Sequence, residues 1–483
     1  MPVFSTTMYQ TNAGFRNLFE SSGLKETISL YPYTPISLYP YTPIPSYPTL
    51  FGKPLNIRIS SPKRYSLYFL FSIFYFLFSF TQLAAQSPYS RFLLGDKIYN
   101  GSVRQAGMGR TGSSLFSPTD INFKNPACLQ ALNLTTLETG AYVGENIVSN
   151  LEKSQPYYIG GISYFSMAFP INDSWVSGIS MLPYTTVKYK DISQEKLTID
   201  SMFVDYEYSG NGGVSMLGWA NAFKIAKYLS VGLNSNFIFG SIINETISSL
   251  RDSTGAETGY FTSAISRRIN IRDFTFDAGL NFHKETNHDK LISVGLSYHF
   301  ESGINARKNL TYDLRNYGGG IFSRDTAQKE LAGTINLPAS INGGFAFSRK
   351  NKYTIAIEYT QESWSRFKNF GVKDSAADSK TGSFGIEWTP DFTNVGNYLY
   401  RMSYRTGAWF GKSPLLLNGT QLPEFGMNVG LHFPMVRSIS GIQVGFEYAR
   451  RGTTEKNLIL EQTYRIYLGF SFSEKWFMRP KVD

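Results

Sequence analysis

The stretch Phe274-Thr-Phe-Asp-Ala-Gly-Leu-Asn-Phe282 places a polar or small residue after almost every large apolar one. The same alternation follows in Ile292-Ser-Val-Gly-Leu-Ser-Tyr-His-Phe300. Because successive side chains of a β-strand point to opposite faces, each stretch predicts a strand with one apolar face and one small or polar face. The sequence therefore predicts β-structure at its centre, and the same pattern extends to both sides.

Further strands of this kind are found through most of the chain. Counting them from about Thr135 to Phe472 gives roughly 14 strands. The polar stretch 301–332 lacks the alternation and is predicted to be a loop. The clearest further runs are Tyr353–Tyr359, Phe384–Trp388, Tyr398–Tyr404, Ile442–Tyr448 and Tyr464–Phe472.

The apolar faces of these runs often end in Tyr, Trp or Phe, and aromatic residues make up 16% of the chain. Aromatic rings at the ends of an apolar face suit the headgroup regions of a membrane, whereas a soluble sandwich would turn that face inward. The sequence predicts an all-β fold, a transmembrane antiparallel β-barrel of roughly 14 strands over residues 135–483. Charged residues predicted to face a wet lumen in mid-strand are Asp277, Glu358, Glu387, Arg401, Arg405, Glu447 and Arg465.

A long apolar segment, which begins with Lys63-Arg64 and ends with Leu83-Ala-Ala-Gln86, precedes the strands. A positive start, an apolar run and a small-residue end are the parts of a secretory signal peptide, so residues 61–86 are predicted to be a leader. The alternative is a retained transmembrane helix, since the run approaches the length that a bilayer needs. The next basic residue is Arg91, which is late for a stop-transfer signal, and we expect an exported protein.

Residues 1–60 carry a tandem octapeptide, Ser29-Leu-Tyr-Pro-Tyr-Thr-Pro-Ile36 and its copy Ser37–Ile44. This density of proline excludes a helix or a central strand. The segment is interpreted either as a disordered, polyproline-type arm or as the result of a start codon placed too far upstream.

Residues 87–134 precede the first clear strand and are irregular. They contain Gly107-Met-Gly-Arg-Thr-Gly112, which formally matches G-x-G-x-x-G, but a dinucleotide site needs a strand before the motif and a helix after it. Glycine allows close backbone approach and proline lacks an N–H, so the segment is predicted to be a plug, or hatch, inside the barrel. The residues expected to form it are Gly107, Gly109, Gly112, Asn125, Pro126 and Ala127.

Gly107-Met-Gly109 followed by Asn125-Pro-Ala127 resembles the N-terminal hatch of FadL/TodX-type outer-membrane transporters. Leu182-Pro-Tyr-Thr185 and Trp364-Ser-Arg-Phe367 resemble further blocks of that family. The resemblance implies an outer-membrane channel of a Gram-negative bacterium for passive uptake of hydrophobic molecules, of the fatty-acid or aromatic-hydrocarbon class.

Ser87-Pro-Tyr-Ser-Arg-Phe92, with Gly95-Asp96, is similar to the mature N-terminus of outer-membrane barrels of Bacteroidetes in or near that superfamily; Leu93 replaces a glycine. Some relatives serve protein secretion, which implies an alternative function as a non-transporting docking barrel for secretion or surface assembly. A transporter requires an apolar pocket behind the hatch, whereas a docking barrel is expected to be filled.

The sequence contains no pattern typical of an enzyme. His283 and His288 are five residues apart and so lie on opposite strand faces, and Cys128 has no identifiable catalytic partner. We predict no catalytic residue, metal or cofactor. The 46 basic and 36 acidic residues are spread along the chain, so nucleic-acid binding is not indicated. The expected partners are outer-membrane lipid, the barrel-assembly machinery and a hydrophobic small-molecule ligand.

Overall fold

The computed structural model describes residues 87–475 except 100, 198–201, 253, 255, 257–260, 287–288, 317 and 436–439. The predicted leader, the tandem repeat and His288 therefore lie outside the described residues. All of the described residues belong to the unit Ser66–Asp483.

The strands form one antiparallel sheet that closes on itself, because the last strand pairs with the first wall strand from Leu460↔Ser149 to Glu474↔Thr135. We call the end at Thr135 and Glu474 the proximal end and the other the distal end. The described strands are β1 (Asp96–Lys97), β2 (Thr135–Ser149), β3 (Ser154–Asn172), β4 (Trp175–Lys196), β5 (Phe203–Ala226), β6 (Leu229–Arg251), β7 (Phe261–Thr286), β8 (Lys290–His299), β9 (Ser302–Asn316), β10 (Ile321–Leu337), β11 (Ser340–Arg349), β12 (Tyr353–Glu362), β13 (Lys368–Asn369), β14 (Val372–Lys373), β15 (Ser379–Trp388), β16 (Ser403–Leu417), β17 (Thr420–Pro434), β18 (Gly441–Gly452) and β19 (Leu460–Glu474).

The barrel wall has 14 strands, because β8 and β9 form one interrupted strand, as do β10 and β11, while β1, β13 and β14 are short additions. The predicted closed transmembrane barrel of about 14 strands is confirmed.

Helical structure in the described residues is limited to short segments. No helix among them is long and apolar enough to cross a membrane. The segments are α1 (Val103–Gly107), α2 (Tyr398–Arg401) and the 3-10 turns Pro88–Arg91, Pro126–Ala131, Trp364–Arg366 and Glu455–Asn457.

The prediction that Arg401 lies in mid-strand is wrong. Arg401 ends α2, in the connection between β15 and β16 at the proximal end. The Asn397 side chain caps this turn by accepting a hydrogen bond from the Leu399 backbone N–H, which favours a helical turn over an extended chain. The alternation of residues 398–404 becomes a strand only from Ser403.

The polarity of the wall is inverted relative to that of a soluble protein. Phe274 and Phe276 are 54% and 52% exposed, whereas Thr275 between them is fully buried. In β12, Ile357 is 51% exposed while Glu358 is 5% exposed. An outward apolar face and an inward polar face are what a barrel surrounded by lipid requires.

Strands β4 to β7, β9 and β10 continue past the rest of the wall as a distal sheet, and β7 alone has 26 residues. Residues 301–332, predicted to be a loop, form most of β9 and β10, so that prediction is wrong. Beyond the lipid, most residues of β9 after Arg307 and most of β10 are at least partly exposed whichever face they are on, which removes the alternation. Cross-strand ion pairs are present instead, with Arg324 Nε 2.6 Å from Asp313 Oδ1 and Arg315 paired with Glu245.

Candidate functional site

The hatch, residues 87–134, runs through the lumen from the distal to the proximal end. At its start the Ser87 backbone N–H donates to the Lys188 carbonyl of β4 (3.0 Å). At its end the turn Pro126–Ala131 packs on β5, β6 and β7 and leads into Thr135 of β2. Between these points α1 packs on β16 to β19. The hatch therefore contacts much of the inner wall.

Three cations between Arg104 and Lys124 each form an ion pair with a wall glutamate that points into the lumen, and a fourth hatch cation, Lys97, pairs with Glu362 of β12. A buried charge is tolerated when it is paired and hydrogen-bonded. If one partner is removed, the other remains buried without a counter-charge, and its desolvation is no longer compensated. The hatch is thus held by charge as well as by packing. The pairs are Arg104 with Glu387 (2.7 Å), Arg110 with Glu447 (2.8 Å) and Lys124 with Glu358 (2.6 Å).

The pair at Glu387 belongs to a larger network near the proximal end. Arg405 Nε lies 2.6 Å from Glu387 Oε2, and Arg104 Nη1 lies 2.8 Å from Asp120 Oδ2 of the hatch. Arg405 Nη1 also donates to the Gln443 side chain (2.9 Å). Arg405 and Glu387 of the wall and Arg104 and Asp120 of the hatch therefore form a chain of alternating positive and negative charges.

The pair at Glu447 is the most completely satisfied of the three. Arg110 donates to both carboxylate oxygens, from Nε (2.9 Å) and Nη2 (2.8 Å). The same carboxylate accepts from Asn428 (2.9 Å), Arg465 (3.1 Å) and the Tyr467 hydroxyl (3.2 Å). Glu447 is fully buried on β18, Asn428 lies on β17, and Arg465 and Tyr467 lie on β19. The carboxylate therefore joins Arg110 of the hatch to three neighbouring wall strands.

Glu358 binds the hatch backbone as well as a hatch cation. The Gly112 and Ser113 N–H groups both donate to its Oε2 at 2.6 Å, and the Ser113 hydroxyl donates at 2.9 Å. A carboxylate that accepts adjacent backbone amides fixes the chain locally, because those donors have no other partner there.

Asp277 faces the lumen but does not reach the hatch. It accepts from the Asn234 and Asn236 side chains (3.1 and 2.7 Å) and lies 2.5 Å from His299 Nδ1. Arg401 lies outside the lumen network, in α2 over the Tyr398 ring. The other residues predicted to face the lumen join the networks around the hatch.

The residues predicted to form the hatch lie at its closest approaches to the wall. Gly109 has φ +62°, and a Cβ there would overlap the Phe384 carbonyl, so this position accepts glycine alone without strain. The Asn125 side chain accepts from Ala127 N–H (3.0 Å) and donates to the Ser113 carbonyl (2.7 Å). It thereby starts the turn that contains Pro126.

The wall accommodates the hatch through a row of inward-facing glycines. Several are directly paired across strands, as in Gly385↔Gly407 and Gly430↔Gly445. A Cβ at Gly295 would overlap the Ser113 carbonyl, so the row provides the space into which hatch backbone fits. The row contains Gly232, Gly279, Gly295, Gly344, Gly385, Gly407, Gly430, Gly445 and Gly469.

The distal end of the lumen is filled by an apolar group that we call the distal cluster. Leu94 of the hatch, 1% exposed, packs there against Trp364 and Phe367 from the connection after β12, which are 4% and 0% exposed. Inward wall residues such as Ile269 and Ile304 complete it. The apolar part of the inner surface is therefore covered by the chain's own side chains.

A second contact at the distal end holds the start of the hatch. Arg451 of β18 donates to both oxygens of Asp96 (2.9 and 3.0 Å) and to Glu461 (3.0 Å from Nε). The Ser87 hydroxyl donates to the same Glu461 (2.7 Å). The first described residue is consequently buried within the barrel.

The space left between the hatch and the distal cluster is a cavity of about 410 Å³. Its lining is mixed but rich in charge, with Lys97, Arg110, Arg465, Glu362 and Glu424 among the contributing side chains. Aromatic and aliphatic side chains such as Tyr99, Met216 and Trp409 line the same cavity, so it offers apolar surface beside these charges.

The wall has one seam among its described strands, between β3 and β4. These strands pair from Asn172↔Trp175 to Phe165↔Met181 and then separate, although β3 extends distally to Ser154. Beyond the seam, β4 pairs with β1 of the hatch instead. The cavity reaches this seam, because residues of both strands line it.

A family model described as BamG matches residues 63–483 of the chain. The chain belongs to the BamG family. A comparison with curated proteins finds no matching sequence.

Solved structures with the same fold as this BamG-family barrel include channels for hydrocarbons. The CymD monoaromatic hydrocarbon channel has a TM-score of 0.51 at 14% identity, covering 79% of this chain and 99% of that one. The Pseudomonas putida toluene transporter TodX has a TM-score of 0.52 at 14% identity, covering 79% and 100%. These values confirm the resemblance to FadL/TodX-type barrels at the level of the fold.

Sequence reasoning missed the cations of the BamG-family hatch and the distal cluster. Arg104, Arg110 and Lys124 lie in an irregular segment, where no periodicity indicates the direction of a side chain. The inward glycines had a usable signal, since each follows the strand alternation. Cys128 is buried with its Sγ 3.6 Å from the Ser113 carbonyl, and His283 stacks on Phe116 of the hatch at 4.1 Å.

Proposed function

We propose that this BamG-family barrel is a docking component of the barrel-assembly machinery in the outer membrane of a Gram-negative bacterium. In this role the barrel holds a position in the membrane and presents surfaces to partner proteins, and no solute has to pass through it. The family name supports the connection with barrel assembly. The observation that carries the proposal is a lumen in which the chain's own residues cover the distal apolar wall and leave a cavity of about 410 Å³ with a mixed apolar and charged lining.

A hydrophobic-compound channel needs an apolar pocket for its ligand. Here Leu94, Trp364 and Phe367 occupy the apolar inner surface, and the remaining cavity is lined by many charged groups. A hydrocarbon in that cavity would meet apolar side chains but would also displace water from the exposed parts of the charged groups, which is unfavourable. The lumen thus fits a closed barrel better than a hydrophobic conduit.

Opening the proximal end would require the hatch to leave its seat. The three pairs formed by Arg104, Arg110 and Lys124 would then be broken in a largely buried setting, at a cost of about 3–5 kcal/mol for an uncompensated buried partner. The glycine row adds close backbone packing, which cannot slide without overlap. A hatch held in this way favours a static plug.

Affinity isolation from the native outer membrane tests the proposal. A short tag inserted between Gly318 and Gly319, in an exposed turn of the distal sheet, avoids the hatch and the lipid-facing wall. We expect the central barrel of the assembly machinery to co-purify in fixed stoichiometry, and depletion of the protein to lower the amount of other outer-membrane barrels. Isolation of the tagged barrel alone, with other barrels unchanged on depletion, would refute the docking role.

The seam between β3 and β4 favours a second candidate, uptake of a hydrophobic small molecule. A compound could pass sideways between the cavity and the lipid through the unpaired region, where Ile159 of β3 and Tyr184 of β4 both line the cavity. Vesicles containing the protein would then take up labelled toluene or fatty acid faster than empty vesicles, and Ser163→Trp would slow that uptake. Equal uptake by both kinds of vesicle would exclude this candidate.

A further inference from the structure

Two lysines on the lipid-facing side of the wall are directly opposed on neighbouring strands. Lys380 of β15 pairs with Lys412 of β16 in the register, and the next outward pair is Gly382 with Phe410. Both lysines are exposed, and Phe410 beneath them is 64% exposed. The two lysines are therefore directly opposed in the register at the distal border of the lipid-facing band.

Like charges placed directly opposite each other destabilise a strand pair unless something compensates for them. Among the described residues, no carboxylate lies within ion-pair distance of either lysine. Asp378, two residues before Lys380, attracts that lysine electrostatically, but its carboxylate is hydrogen-bonded to the Ser365 backbone N–H. The outward cross-strand neighbours are Gln361 and Pro423, which carry no charge. The opposed lysines are therefore only partly compensated by the described residues, and an anion from outside the chain would complete the compensation.

The position of the lysine pair indicates the kind of anion. An exposed aromatic ring directly proximal to the pair belongs in acyl chains, whereas the ammonium groups reach the level of the headgroups. We infer that Lys380 and Lys412 form a binding site for the phosphate groups of a phosphorylated glycolipid, the lipid A type, in the outer leaflet. This inference rests on the proposed outer-membrane location, with the distal sheet facing outward, and is independent of the docking role.

Native mass spectrometry of the full-length protein, purified from membranes in detergent, provides a direct test. The lipids compared are bisphosphorylated lipid A, the same lipid without its phosphates, and phosphatidylglycerol. The variants are Lys380→Gln/Lys412→Gln and, as a matched control, Lys350→Gln, an exposed lysine in the proximal turn between β11 and β12. A cation near an anionic surface contributes about fivefold in binding, so we expect the double variant to bind bisphosphorylated lipid A about 25-fold more weakly.

A charge reversal separates loss of the site from loss of the fold. Lys380→Glu places opposite charges on the strand pair, so we expect heat-modifiable migration to be kept while lipid A binding falls. The inference is overturned if the double variant binds as the parent does, if the control loses as much, or if the dephosphorylated lipid or phosphatidylglycerol binds as tightly as bisphosphorylated lipid A.

Discussion

Replacing Glu447 by Gln is the sharpest single perturbation of the hatch. The residue is fully buried, and its carboxylate accepts two hydrogen bonds from Arg110 and three from Asn428, Arg465 and Tyr467. The amide keeps the size of the side chain but removes the charge and turns one acceptor into a donor. Two guanidinium groups are then left in the lumen without their shared counter-charge.

Breaking a buried ion pair by removing one partner costs about 3–5 kcal/mol, and we expect Glu447→Gln to lower the free energy of unfolding by an amount in that range. Arg110→Ala should have a comparable effect. Because the two residues contact each other, the double variant should cost less than the sum of the single ones, by about 1–3 kcal/mol.

Urea unfolding of the barrel in lipid vesicles measures these energies, and hydrogen exchange of residues 103–116 reports whether the hatch is released. Glu245→Gln is the control, since Glu245 pairs with Arg315 in the distal sheet, away from the hatch. That change should leave exchange in the hatch unaltered. Single variants that each cost under about 1 kcal/mol and add without coupling would refute the view that this pair fastens the hatch.

Three further predictions concern the wall and the distal sheet. Phe384→Arg should cost about 2–4 kcal/mol if the ring lies near the bilayer midplane, whereas Ser383→Arg, which enters the cavity, should cost much less; equal costs in urea unfolding would contradict the assigned faces. Gly344→Ala should expose the hatch to protease without loss of heat-modifiable migration, because its Cβ would overlap the Ser113 hydroxyl, whereas Gly343→Ala should be silent because its nearest neighbour would be 3.9 Å away. The pKa of Asp313 is held below its usual value, chiefly by hydrogen bonds from Arg324. The ionised carboxylate therefore stabilises the fold above about pH 4, and this stabilisation is lost as the pH falls through the lowered pKa. Local hydrogen exchange in β9 should rise under acid, and Asp313→Asn should abolish that pH dependence.

Alternation was sufficient to predict the wall. Phe274 to Phe282 and Ile292 to Phe300 are strands with the predicted faces outward, because a strand between lipid and lumen has two different environments. The prediction failed beyond the lipid, where the two faces of a strand no longer lie in such different environments. Residues 308–316 and 321–332 lie in a largely exposed part of the distal sheet, so they carry no alternation although they pair with each other, with bulges in β10.

The contacts inside the lumen were harder to predict from the sequence than the strands of the wall. Glu358, Glu387 and Glu447 were predictable as inward residues, but their partners in the hatch were not, since an irregular chain has no period that orients its side chains. The filling of the lumen by Trp364 and Phe367 depends on a connection folding inward, which is a tertiary property. A resemblance to channels therefore indicated the fold and left the state of the lumen open.

Locking the hatch to the wall tests the central claim that this barrel works with its lumen closed. A Cβ at Gly469 would lie 3.1 Å from the Cβ of Val103 in α1, a few tenths of an ångström below the usual disulfide range. Val103→Cys with Gly469→Cys can therefore be bridged after a small shift, in a Cys128→Ala background that removes the native thiol. The measurement is the amount of other outer-membrane barrels in cells that depend on the locked protein. The account predicts that the oxidised variant supports assembly as well as the reduced one does. Loss of assembly on oxidation, restored by a reducing agent, would contradict it.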